Sequence, residues 1–212
     1  MNVLRSSLQI VREHSRPYVI LNVMYYGLVA LGMLYVAFIN PALQEQLLAA
    51  TEVALTEGPL ETVAGAYMGG NVLAAVLLTF VVNLLVGSLL FITVPSLVIP
   101  FAGVLLGFYR AVLWGFLLAP TNAELALVMI PHSLVLLLEG QGYILAMFAA
   151  YVHGKAFLRP VSAGLTSHLR GYVAGLKLSA RLYSLVITVL AVAAIYEALE
   201  VILMVRVASG LG

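Results

Sequence analysis

The chain has no cysteine and no aspartate in its 212 residues. Lacking cysteine, it forms no disulfide, offers no thiolate nucleophile and holds no cysteine-ligated metal. Lacking aspartate, it supplies neither the dyad of an intramembrane aspartyl protease nor the paired aspartates on which some phosphotransferases are built. Charge is sparse as well: only 9% of residues are charged, and all nine acids are glutamates. There is no Gly-x-Ser-x-Gly, no His-Glu-x-x-His and no Gly-x-x-x-x-Gly-Lys, so the sequence shows no serine nucleophile, no zinc site and no phosphate-binding loop. No cofactor is implied, and the chain is not expected to be an enzyme. Nucleic acid is disfavoured, because the net charge is only +1 and the basic residues fall in short segments between apolar runs rather than on a folded basic surface.

What the chain has in abundance is apolar length. Hydrophobic residues make up 63%, against ~45 to 50% in ordinary globular proteins, and the mean hydropathy is +1.10. These values predict an all-α, polytopic membrane protein. The expected organisation is one integral membrane domain over 1–212, with about five transmembrane helices and amphipathic helices at the interfaces, in a prokaryotic cytoplasmic membrane.

Residues 1–16 carry Arg5, Arg12, Glu13, His14 and Arg16 among Val3, Leu4, Leu8, Ile10 and Val11, which predicts a short amphipathic helix at the headgroups. Pro17 to Asn40 reads as the first span, with Tyr18, Tyr25, Tyr26 and Tyr35 as interface aromatics. Pro41 to Met68 holds Glu45, Glu52, Glu57 and Glu61 without a Lys or Arg; it reads as an external surface helix ended by Glu57-Gly58-Pro59. The apolar run from Asn71 to Leu118 exceeds what one crossing requires, so two spans with a turn at Pro95 to Pro100 are predicted. Met129 to Gly154 supplies the fourth span, and Leu182 to Val205 the last, followed by Arg206 and a small-residue tail, Ala208 to Gly212.

Between those two lies the basic segment 155–181, with Lys155, Arg159, Arg170, Lys177 and Arg181. Leu158, Val161, Leu165, Leu169, Tyr172 and Leu176 follow at steps of three or four, predicting an amphipathic basic helix along the cytoplasmic membrane surface. Arg159, Arg170, Lys177 and Arg181 are its candidate contacts to anionic lipid or to a protein partner. The positive-inside rule puts this segment and the N-terminus in the cytoplasm, and the C-terminus outside. Gly103 with Gly107, and Ala146 with Ala150 and Gly154, stand at helical spacing and predict close helix packing.

The informative residues are the charges inside the apolar runs. Arg110 stands ten residues before Pro120, Glu139 ten after Met129, and Glu197 nine before Arg206. At ~1.5 Å per residue all three fall about 14 to 15 Å from the outer helix ends. An intramembrane charge costs ~2.5 to 3.5 kcal/mol on insertion scales and faces a partner or a wet cavity. One cation and two carboxyls at a common depth therefore predict a polar network of Arg110, Glu139 and Glu197, with Arg110 and Glu139 as the ion pair, Asn83 adding hydrogen bonds, and His132 two turns before Glu139 on the same face. Two readings stay open for this group: polar glue that fixes helix register, or a transport or proton-relay site. His132 and Glu139 stand about 10 Å apart along the helix, too far to share one ion, so no metal site is expected.

Over Thr79 to Glu197 the chain resembles the stage II sporulation protein M family of integral membrane proteins. The resemblance is carried by Phe80 and Asn83, Gly103 and Gly107, Pro131-His132, the small residues leading to Gly154, and Ala193-Ala194-Ile195-Tyr196-Glu197. Members typically show Pro-His-Gly followed soon by Glu; here Ser133 replaces the glycine, Leu136 stands at the close-spaced position and the acid comes at Glu139. Ala102 stands where an Asn often precedes the third-span glycine. The resemblance implies a non-enzymatic membrane protein, since its name-giving member acts with cell-wall-degrading partners. Two functions are carried forward: a scaffold or assembly subunit of a cell-envelope complex, or a permease subunit working with a separate cytosolic ATPase. Either implies membrane lipids and an oligomer or hetero-complex as partners.

Overall fold

The computed structural model describes residues 3–58 and 60–208, and among these every regular element is a helix. Pro59 and the tail after Ala208 lie outside the described residues. The order is α1 (Val3–Glu13), α2 (Ser15–Phe38), α3 (Pro41–Thr56), α4 (Glu61–Met68), then α5 (Val72–Val81), a stretch of wider π-helical turns (Val82–Thr93) and α6 (Val94–Val98), which together form one continuous rod. After a tight turn come α7 (Ala102–Leu117), α8 (Ala123–Leu158), a short 3-10 turn (Pro160–Ala163) and α9 (His168–Ala208).

Four of these rods are long and apolar enough to cross a membrane: α2, Val72–Val98, α8 and α9. The chain is an all-α integral membrane protein. The fifth predicted span, α7, has 16 residues, about 24 Å at ~1.5 Å per residue against a hydrocarbon core of ~30 Å. It nonetheless runs between the two ends of the bundle. At its start the Phe101 ring sits against Gly154 near the end of α8. Past its other end, Gln44 of α3 donates to the carbonyls of Leu117 (3.1 Å) and Ala119 (2.8 Å) and accepts from Thr121 (2.6 Å).

Helix α8 is the axis. From Tyr143 to Ala150 every residue is buried, as befits a helix that is apolar all round and surrounded by others. The neighbours come close because small residues meet backbone. A methyl group on Gly115 would lie 2.3 Å from the Val29 carbonyl oxygen, and one on Gly103 only 1.9 Å from that of Ile92. Gly107 makes room for Met147, and Ala146, Ala150 and Gly154 are all buried.

The structure departs from the expectation for the basic segment. Residues 155–181 are not one surface helix. Lys155 to Leu158 end α8, the chain turns through Pro160 and the left-handed Gly164, and from His168 onward the segment belongs to α9, an unbroken helix of 41 residues. The reason is a second pattern in the same sequence: Gly171, Gly175 and Ser179 stand four residues apart. A methyl group on Gly171 would lie 2.2 Å from the Ala156 carbonyl oxygen, one on Gly175 2.9 Å from the His153 Cα, and the Ser179 hydroxyl donates to the Ala149 carbonyl at 2.9 Å. This stripe docks the segment along α8, while Leu169, Leu176, Arg170, Lys177 and Arg181 point outward.

Two smaller differences concern polar side chains that face the bundle. Pro41 to Met68 is two helices, with Gln44 plugged onto the end of α7. Tyr25, expected at an interface, is fully buried, and the half-buried Tyr18 and Tyr26 bond through their hydroxyls across to α8. Charge is sorted along the bundle. Arg5, Arg12, Arg16, Lys155, Arg159, Arg170, Lys177 and Arg181 share one end, joined where the Ser7 hydroxyl of α1 donates to the Arg181 carbonyl at 2.7 Å. Glu45, Glu52, Glu57, Glu61 and Glu124 share the other, the exceptions being Arg206 near Gly70 at the acidic end and Glu13 of α1 at the basic one.

Candidate functional site

The π-helical turns set up the polar centre. In these turns each carbonyl pairs five residues on instead of four, which widens the helix. The Asn83 carbonyl also accepts from the Ser88 hydroxyl at 3.0 Å, and the Asn83 side chain reaches α8. One turn further on, Gly87 has no side chain, and the space is filled by the Tyr143 ring.

A chain of contacts then crosses the bundle. Arg110 Nη2 of α7 donates to the Tyr143 hydroxyl at 2.9 Å; that hydroxyl donates to Asn83 Oδ1 at 2.8 Å; Asn83 Nδ2 donates to Glu139 Oε1. Beyond Glu139 the neighbouring carboxyl is that of Glu197 on α9. The guanidinium carbon of Arg110 sits 4.1 Å from the Tyr143 ring centre and 5.0 Å from that of Trp114, so two aromatic rings stabilise the cation.

The common depth read from residue counts thus brings Arg110, Asn83, Glu139 and Glu197 together, but not as expected in detail. Arg110 and Glu139 form no direct ion pair; Tyr143 and Asn83 stand between them. His132 is not part of this group either. Its Nδ1 lies 3.1 Å from Glu200 Oε2, within hydrogen-bonding distance. The reason is helical geometry: on α9, Glu200 lies one turn beyond Glu197, and His132 lies about two turns before Glu139 on α8, so the two levels pair separately.

No family model, curated protein or solved structure matches the chain. Its site is therefore read from geometry alone.

Several participants went unread in the sequence. Tyr143 follows Glu139 by four residues and so shares its helix face, a signal that was available. Tyr25 brings a fully buried hydroxyl without a bonding partner to the same charges. Gln141 ties α8 to α2: it accepts from the Tyr18 hydroxyl at 2.7 Å and donates to Asn22 Oδ1 at 2.6 Å and to the Tyr26 hydroxyl at 3.0 Å. On α4, Tyr67 meets Thr79 at 2.6 Å; burial, then the neighbouring Glu197, pushes the Tyr67 phenol up, so it stays a proton donor.

Two carboxyl oxygens, Glu197 Oε2 and Glu200 Oε1, are buried without a hydrogen-bond partner. Beside His132 and Glu200 opens a cavity of about 250 Å³, walled by apolar residues of α3, α7, α8 and α9.

Proposed function

We propose that the chain is a non-enzymatic scaffold or assembly subunit of a cell-envelope membrane complex, related to the stage II sporulation protein M family, with its N-terminus in the cytoplasm and its C-terminus outside. The observation that carries this reading is the network that crosses the bundle: Tyr143, Glu139 and Asn83 are 0%, 5% and 8% exposed, with Arg110 and Glu197 half-buried at its two ends. It draws on Val72–Val98, α7, α8 and α9, so it ties four rods together at one level. Such a network fixes helix register and leaves function to the outer surfaces. These are ample: only 22% to 39% of the most apolar window of each long span is buried within the chain. The sorting of charge supports the orientation.

The test is gentle purification of the full chain and identification of co-eluting proteins. Envelope enzymes or an extracytoplasmic protein at fixed stoichiometry are expected, and a stable monomer without partners overturns the proposal.

A permease subunit is the second reading, and it is favoured by the unpartnered oxygen of Glu200 in the wall of the cavity at His132, with a second unpartnered carboxyl oxygen, that of Glu197, about one helical turn away on α9. Proton flux into liposomes carrying the purified chain, abolished by Glu197→Gln, would establish it in place of the scaffold.

A further inference from the structure

At the basic end of the bundle, Tyr151 and Lys155 stand four residues apart on one face of α8, and Arg159 caps the helix, its amide donating to the Lys155 carbonyl at 2.9 Å. With Leu158 and Phe101 they line a cavity of about 250 Å³. No carboxylate is among the lining residues. Phe101 is held in the left-handed region at φ 68°, the one non-glycine residue so placed among those described, a conformation that L side chains disfavour. That backbone turns its ring onto Gly154, where a methyl group would lie 2.9 Å from the ring edge, and beside Tyr151 at 5.9 Å between ring centres. The pocket therefore combines two aromatic rings with two cations.

We propose that this pocket binds the phosphate of an anionic phospholipid headgroup. A guanidinium fork and an ammonium about one helical turn apart suit a phosphate, the first by paired hydrogen bonds and the second as a point charge. A soluble phosphate ester presents the same chemistry. The lipid is favoured by the surroundings: Val98, Ile99, Leu158 and Val161 are large, apolar and exposed around this end. Acyl chains would cover these side chains while the headgroup meets Lys155 and Arg159. The Phe101 and Tyr151 rings fit the same boundary, since aromatic side chains favour the headgroup level.

The experiment is native mass spectrometry of the full-length, delipidated protein in mild detergent, titrated with phosphatidylglycerol and with phosphatidylcholine of the same acyl chains. Phosphatidylglycerol is expected to bind at least tenfold more tightly. Lys155→Gln with Arg159→Gln should erase that preference, whereas Arg12→Gln, which removes one charge from the same end outside the pocket, should preserve it. Equal binding of the two lipids, or an equal loss with Arg12→Gln, overturns the site in favour of diffuse attraction to the basic end. Displacement of phosphatidylglycerol by inorganic phosphate at equal concentration overturns the lipid as occupant in favour of a soluble anion. Should the double variant not fold, the lipid comparison and the phosphate competition on the unaltered chain decide between these outcomes.

Discussion

Replacing Tyr143 with Phe removes one oxygen from the centre of the bundle and nothing else. The ring would keep its place over Gly87, its edge contact with Trp114 at 5.4 Å and its face toward Arg110 at 4.1 Å. The hydroxyl alone joins Arg110 Nη2 to Asn83 Oδ1. Hydrogen bonds inside membrane bundles average ~0.6 kcal/mol and reach ~1.7, bonds to charged groups lie toward the upper end, and a buried partner left unsatisfied costs ~1 to 3 kcal/mol. Tyr143 is fully buried, so no water replaces the lost oxygen without rearrangement. The expected destabilisation is about 2 kcal/mol, within ~1 to 4. Reversible unfolding by a denaturing detergent in mixed micelles measures it, and a double-mutant cycle with Asn83→Leu isolates the shared bond. A loss below about 0.5 kcal/mol together with no coupling to Asn83→Leu would refute the bridge.

If Tyr143 and Asn83 relay the interaction, Arg110→Met and Glu139→Leu are coupled in the unaltered chain, and that coupling vanishes in a Tyr143→Phe background; persistence would mean direct pairing. Gly103→Ala forces a methyl group onto the Ile92 carbonyl and should destabilise by ~1 to 3 kcal/mol, the usual cost of overpacking, which an unchanged thermal midpoint would contradict. In lipid nanodiscs, amide protons from Tyr172 to Arg181 should exchange as slowly as those of the membrane core, since this stretch is packed along α8; fast exchange there would restore a detached surface segment. Because the chain has no cysteine, Glu52→Cys gives a clean label: a membrane-impermeant thiol reagent should reach it from outside and reach Arg170→Cys only after permeabilisation. The reverse pattern would invert the orientation.

Composition and apolar run length were enough to predict an all-α membrane bundle, because a bilayer admits few alternatives: a helix satisfies its own backbone, and ~20 apolar residues span the core. Residue counting also placed Arg110, Glu139 and Glu197 at one depth, since rise per residue is nearly constant along a helix. Depth is a single coordinate, however. Which side chain meets which depends on helix rotation and neighbour order, and these are decided by packing between segments far apart in the chain. Hence Tyr143 and Asn83 intervene between Arg110 and Glu139, His132 turns to Glu200, and Tyr25 is drawn inside. The basic segment carried two patterns at once, an apolar stripe fit for lipid and a stripe of Gly171, Gly175 and Ser179 fit for a neighbouring helix. Only the presence of Ala149, His153 and Ala156 on α8, at backbone contact distance, decided that the second stripe would be buried and the first left facing outward.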